Sequence, residues 1–164
     1  MKEITCKQTR ATREQLVFDS DLNDKGTFFG GTTLSLLDEN AGLAAFKFTN
    51  VKFATANYDH MNFWNPITTQ DSIKIVSYVT GANNRAIEVF TKISAIDLKT
   101  QASKIAFSSF CTLVTLKQYG DVKFPTLVPE SEEERYLVAG YADRLNARKA
   151  NFSNEKELLG HLTD

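Results

Sequence analysis

Between Asp21 and Asn40 three polar features follow one another at short range. Asn23-Asp-Lys-Gly26 has the composition of a turn, and its asparagine offers both a donor and an acceptor without titrating. Gly30-Gly31-Thr-Thr33 then opens a run in which Leu34, Leu37, Ala41, Ala44 and Ala45 recur every three or four residues. That period describes a helix with one buried stripe. It begins on bare glycine amides at the positive end of its dipole, where an oxyanion could sit. Asp38 and Glu39 stand about two turns further in, directly after Leu37. A carboxylate bordering an apolar stripe loses hydration and holds a proton more readily, which suits a general base. Singly, each feature has an ordinary reading: a turn former, a loop end, a solvated helix face. Together they converge on one helix start, with a turn, open amides and an acid close in sequence.

The remaining reactive side chains point elsewhere. Cys6 and Cys111 have neither CxxC spacing nor a disulfide framework, and His60 and His161 are far apart, so zinc, haem and disulfide scaffolds are disfavoured and neither a metal nor a cofactor is expected. Cys111 lies in the most apolar strand pattern and reads as a packed thiol of a reducing compartment. His60 has no partner acid at triad spacing and reads as a surface or interface residue. Phe63 and Trp64 are expected in the core or in a seam between subunits, with an acyl channel as the alternative. Lys plus Arg number 19 against 20 Asp plus Glu, which gives no field for gripping a nucleic acid. The longest uncharged runs, Gly26–Leu37 and Ile105–Leu116, are 12 residues each, short of the ~18 that a membrane span needs. With no apolar leader after Met1, a cytoplasmic location is expected.

The elements that must position these residues follow from period and punctuation. At 164 residues the chain has the length of one domain able to bury its own core. A helix is expected over about 31–48, its small residues Ala41, Gly42, Ala44 and Ala45 suiting close approach to a sheet. The period then changes to 2, predicting strands over 53–64, 72–80, 86–96 and 103–116, with Gln15–Phe18 as an earlier extended piece. Gly81-Ala-Asn-Asn84 and Asp97–Gln101 have the length of hairpin links. The fold class is therefore α+β, an antiparallel sheet curled around one long helix over residues 1–124. Residues 125–164 form a helical tail packed on or near that domain. Ser131-x-x-Glu134 is a capping box opening a helix to about Ala150, and a second short helix is expected near 154–162. Arg144, Arg148 and Lys149 then read as either a basic helix end or an anion site.

The stretch Asp21-Leu-Asn-Asp-Lys-Gly-Thr-Phe-Phe-Gly-Gly31, followed by Leu34-Ser-Leu-Leu-Asp-Glu39, resembles the signature of the hotdog-fold acyl-CoA thioesterases. The similarity continues through Ala54-Thr-Ala56, Asp59, Phe63, Asn65-Pro-Ile67, Asp71-Ser-Ile73, Ile87-Glu-Val89 and Phe110–Val114, and covers roughly residues 9–150. The resemblance implies hydrolysis of acyl-CoA to free CoA and a carboxylic acid, with Asp38 and Asn23 as catalytic residues acting across a dimer interface. It also implies a homodimer, assembled further into a homohexamer as a trimer of dimers. Gly30 and Gly31 would hold the thioester oxygen, and Asn84 and Arg85 fall on the turn that holds the CoA phosphates. The chain departs from the family at Asn40, where a small apolar residue is usual. It also departs at Asn83-Asn-Arg-Ala-Ile-Glu88, which replaces Gly-Arg-Thr-Ser-Met-Glu and shifts the arginine by one position. The alternatives are a non-catalytic hotdog module that binds or senses acyl-CoA, and a hydratase, whose chemistry asks for a histidine that the helix start lacks.

Overall fold

The helix expected after the glycine pair runs from Gly30 to Phe48 in the computed structural model, which describes residues 2–163. In chain order the elements are β1 (Glu3–Thr5), α1 (Cys6–Thr9), β2 (Ala11–Leu16), α2 (Gly30–Phe48), β3 (Phe53–Phe63), β4 (Asp71–Asn83), β5 (Ala86–Asp97), β6 (Ser103–Thr115), β7 (Thr126–Val128), α3 (Glu132–Ala139) and α4 (Tyr141–His161). Five strands form one antiparallel sheet in the order β2-β4-β5-β6-β3. This is the hotdog arrangement, a long helix wrapped by a curved sheet.

The stripe on α2 explains the wrap. Leu36 and Leu37 pack with Ile73, Ile75, Ile93 and Phe107. One to two turns later Ala41, Ala44, Ala45 and Phe48 pack with Val79, Ile87, Val89 and Leu113. Alanines at the second contact let the helix lie close on the sheet, and each large side chain removed from water contributes about 1.5–3 kcal/mol. Asn40 also sits on this buried face. Its Nδ2 donates to the Ala11 carbonyl at 3.2 Å and to Ser77 Oγ at 2.7 Å, tying α2 to β2 and β4. Its polarity is thus spent inside the core rather than beside Asp38.

The opposite face of the sheet is covered by the ends of the chain. Tyr78 and Phe110 join Cys6 of α1 and Leu137 of α3 in a third cluster. β7 pairs in parallel with β1, so the segment after residue 124 is stitched to the N-terminus. The Ser131–Glu134 capping box is present. Glu134 also accepts Arg10 Nη2 at 2.6 Å although its side chain is 1% exposed. Burial pushes the Glu134 carboxyl up, but the Glu130 and Ser131 amides and Arg10 outweigh it and hold the group below its usual range.

The tail differs from expectation in where it breaks. Instead of a helix to Ala150 and a second from 154, the break falls at Gly140 and α4 continues unbroken to His161. Arg144 folds back across Gly140, its Nη1 only 2.6 Å from where a Cβ would stand, to reach the Leu137 carbonyl. Asn151–Asn154 are poor helix formers, yet they remove no backbone donor and so do not stop the helix. Gly81 is fixed by close approach as well. It lies at a bulge in β4, and a Cβ there would meet the Tyr141 ring at 2.3 Å.

Candidate active site

Asp38 leaves α2 on the side facing β3. Its Oδ1 accepts two hydroxyls, Thr55 Oγ1 at 2.6 Å and Tyr58 Oη at 2.9 Å, while Oδ2 has no hydrogen-bond partner among the described residues. The carboxylate is exposed in the single chain, so the desolvation expected from the adjacent Leu37 is not supplied by this chain alone. Thr55 and Tyr58 share a face although they stand three positions apart, an odd interval that alternation would put on opposite faces. A register shift between Thr55 and Asn57 inserts one extra residue into β3 and resets the alternation. Glu39 points away and pairs with Arg13 at 2.8 Å on the surface.

Asn23 builds its own turn. Its Oδ1 accepts the Lys25 and Thr27 amides at 2.9 and 3.2 Å, and its Nδ2 donates to Thr27 Oγ1 at 3.0 Å. Gly26 closes the turn at φ +74°, a conformation glycine adopts without strain. No hydrogen bond joins Asn23 to Asp38 or to its hydroxyl partners among the described residues.

At the start of α2 the preceding residue, Phe29, supplies no side-chain cap, and the first-turn amides at Gly30 and Gly31 have no hydrogen-bond partner among the described residues. The Phe29 ring lies over Gly31, where a Cβ would come within 2.5 Å of it. Beside this helix start is a cavity of about 270 Å³ lined by Thr33, Phe63, Trp64, Pro66 and Phe107. Phe63 and Trp64 are 63% and 59% exposed, so they are not core residues in the single chain. They sit at the end of β3, one of the two edge strands of the sheet.

A second polar cluster corrects two expectations. Arg144 and Arg148 are not a basic helix end, because α4 runs on past them. Nor are they free for an anion. Glu88, 1% exposed, accepts Arg144 at 2.8 and 3.1 Å, Arg148 at 2.6 Å and Thr80 Oγ1 at 2.6 Å. Arg148 also donates to Asp59 Oδ2 at 2.9 Å. Burial pushes the Arg148 guanidinium down, and the Asp59 and Glu88 carboxylates more than offset this and raise it. His60 does have an acid beside it, the adjacent Asp59, whose Oδ1 lies 3.0 Å from Nδ1. Cys111 is buried as expected, and burial pushes its thiol up to about 12, which leaves it inert as a nucleophile.

Asn84 and Arg85 form the β4–β5 turn. Asn84 is exposed at φ +48°, and Arg85 Nη2 donates to the Thr115 carbonyl, while its Nε is buried without a partner among the described residues. No group of three or more His, Cys, Asp or Glu among the described residues is arranged to hold a metal ion.

Sequence reasoning singled out Asp38 but not its partners Thr55 and Tyr58. Strict alternation puts those two on opposite faces, and only the bulge reunites them.

Residues 25–102 match the family model described as the thioesterase superfamily. The chain is 36% identical to the uncharacterized acyl-CoA thioester hydrolase YkhA of Bacillus subtilis, over 96% of this chain and 92% of that protein. An acyl-CoA hydrolase from Staphylococcus aureus, solved in complex with butyryl-CoA, CoA and CoA disulfide, is 28% identical. It superposes with a TM-score of 0.90 over 99% of both chains. Structures of that enzyme also exist as alanine variants of an asparagine, of an aspartate 15 residues later, and of a threonine 17 residues after that. A hexameric acyl-CoA thioesterase is 29% identical, with a TM-score of 0.85 over 92% of this chain and 97% of that one. The fold is shared along the whole chain, and so is more than a third of the sequence with a relative of nearly equal length. By these measures the chain belongs to the acyl-CoA thioester hydrolases of the thioesterase superfamily.

Proposed function

We propose that the protein hydrolyses acyl-CoA thioesters, with Asp38 as general base and Asn23 of a second copy completing the site. The observation that carries this is the Asp38 carboxylate, held by Thr55 and Tyr58 with one oxygen left open. Asn23, Asp38 and Thr55 repeat the two intervals of the residues varied in the S. aureus enzyme, 15 and 17.

Geometry favours a shared site. From Gly30 to Asp38 the helix rises about 12 Å, too far for one small carbonyl group to touch both ends. A second copy of α2 running the other way would bring its Gly30 and Gly31 amides and its Asn23 turn opposite Asp38. The sheet supplies a place for that copy. Its β2 edge carries Arg13 and Glu14, charges that discourage pairing. The β3 edge is longer, and its largely uncharged residues are exposed. Pairing along β3 would also cover Phe63 and Trp64 and withdraw Asp38 from water.

In the resulting site Asp38 Oδ2 takes a proton from water as the water attacks the thioester carbonyl. The oxyanion forms on the open Gly30 and Gly31 amides. Collapse breaks the C–S bond, and the proton held by Asp38 goes to the departing CoA thiolate. Asn23 orients the water or the carbonyl. With Arg144 and Arg148 committed to Glu88, the CoA phosphates fall to the turn at Asn84 and Arg85. We assign a homodimer as the working unit and a homohexamer as the assembly, as in the hexameric relative, with a role in fatty acid metabolism. The two free, buried cysteines suit the cytoplasm.

Thiol release from acyl-CoAs of graded chain length tests this reading. Turnover is expected, with Arg85→Ala raising KM more than it lowers kcat. Binding without thiol release across the series would identify a sensing module instead.

A further inference from the structure

Asp38 receives both of its donors on the same oxygen. A carboxylate's terminal torsion is broad, so a side chain free at both oxygens has no preferred reactive one. Thr55 and Tyr58 reach Oδ1 from neighbouring positions of β3 and converge there, which fixes the plane of the group. Thr55 is exposed, whereas the Tyr58 ring is anchored against both core clusters, so its hydroxyl is the more firmly placed of the two.

We propose that Tyr58 is a positioning residue for the hydrolysis: by holding Oδ1 of Asp38 it presents Oδ2 to the attacking water. The inference rests on the reading that Asp38 is the base. Burial of the phenol, with Cys111 and Asp38 beside it, pushes Tyr58 upward, so it stays a donor throughout the working range. The groups facing this pair are few. Cys111 approaches from β6 and Asp59 follows on β3, while Glu39 is turned away toward Arg13.

Tyr58→Phe keeps the ring in its packing and deletes only the hydroxyl. The variant is expected to lose roughly tenfold in kcat through misplacement of the base. KM should stay near that of the unmodified protein, because the hydroxyl holds the base and not the substrate. In an Asp38→Asn background the same change should cost nothing further, since the two residues act as one unit. A loss carried by KM with kcat unchanged, or an equal fractional loss in both backgrounds, would reduce Tyr58 to a packing residue and overturn the proposal. Near-normal turnover by Asp38→Asn alone would instead overturn the base assignment, and the role of Tyr58 with it.

Discussion

Asp38→Asn is expected to lower acyl-CoA turnover by about 10²–10⁴-fold, the usual cost of losing a positioned general base, while leaving the fold unchanged. The amide has the size of the carboxylate, and its oxygen can still accept the Thr55 and Tyr58 hydroxyls. The side chain is exposed in the single chain and belongs to none of the core clusters, so no packing is lost with the charge. What disappears is the basic oxygen opposite them. Thiol release measured beside a thermal melt separates the two effects, and near-normal turnover in a folded variant would remove Asp38 from the chemistry.

The largest effect on stability is expected at Glu88. Its carboxylate is buried and accepts both arginines of α4 together with Thr80, so it fastens the last helix to the middle of the sheet. Through Arg148 the same network reaches Asp59 on the edge strand. Glu88→Gln keeps the volume but turns an amide donor toward guanidinium donors and leaves two half-buried cations short of a counter-charge. Removing one partner of a buried ion pair costs about 3 kcal/mol or more. At ~2–4 °C per kcal/mol for a chain of this size, the melting temperature should fall by roughly 6–12 °C. An unchanged melting temperature would show that α4 is held chiefly by its apolar contacts, such as Tyr141 on Gly81.

Local signals in the sequence locate most of the framework. The glycine pair and the alanine stripe place α2 within one residue of its observed ends, and period-2 runs bounded by hairpin links locate β3 to β6. The capping box at Ser131 is likewise a short-range pattern. What escapes depends on contacts distant in sequence or on a broken period. β1 and β7 are three residues each and are strands only because they pair with one another. Glu88 lies 56 and 60 residues before the arginines it holds, so neither the dipole reading nor the anion-site reading of Arg144 and Arg148 anticipates that pairing. Thr55 and Tyr58 are hidden by the bulge between Thr55 and Asn57, which interrupts the alternation. In the proposed site, Asp38 by itself reads as a residue of a solvated helix face, and it is the resemblance of the surrounding stretch that singles it out. The pairing of Asn23 with it belongs to two copies, and no periodicity within one chain encodes that.

The shared site is tested most directly by mixing two inactive variants, Asn23→Ala and Asp38→Asn, under conditions in which subunits exchange. A mixed dimer would contain one site with both substitutions and one with neither. Thiol-release activity should therefore return to a measurable fraction of the unmodified protein's, rising as exchange proceeds. If exchange is demonstrated and no activity returns, Asn23 and Asp38 do not meet across a subunit interface, and the two-chain site is wrong.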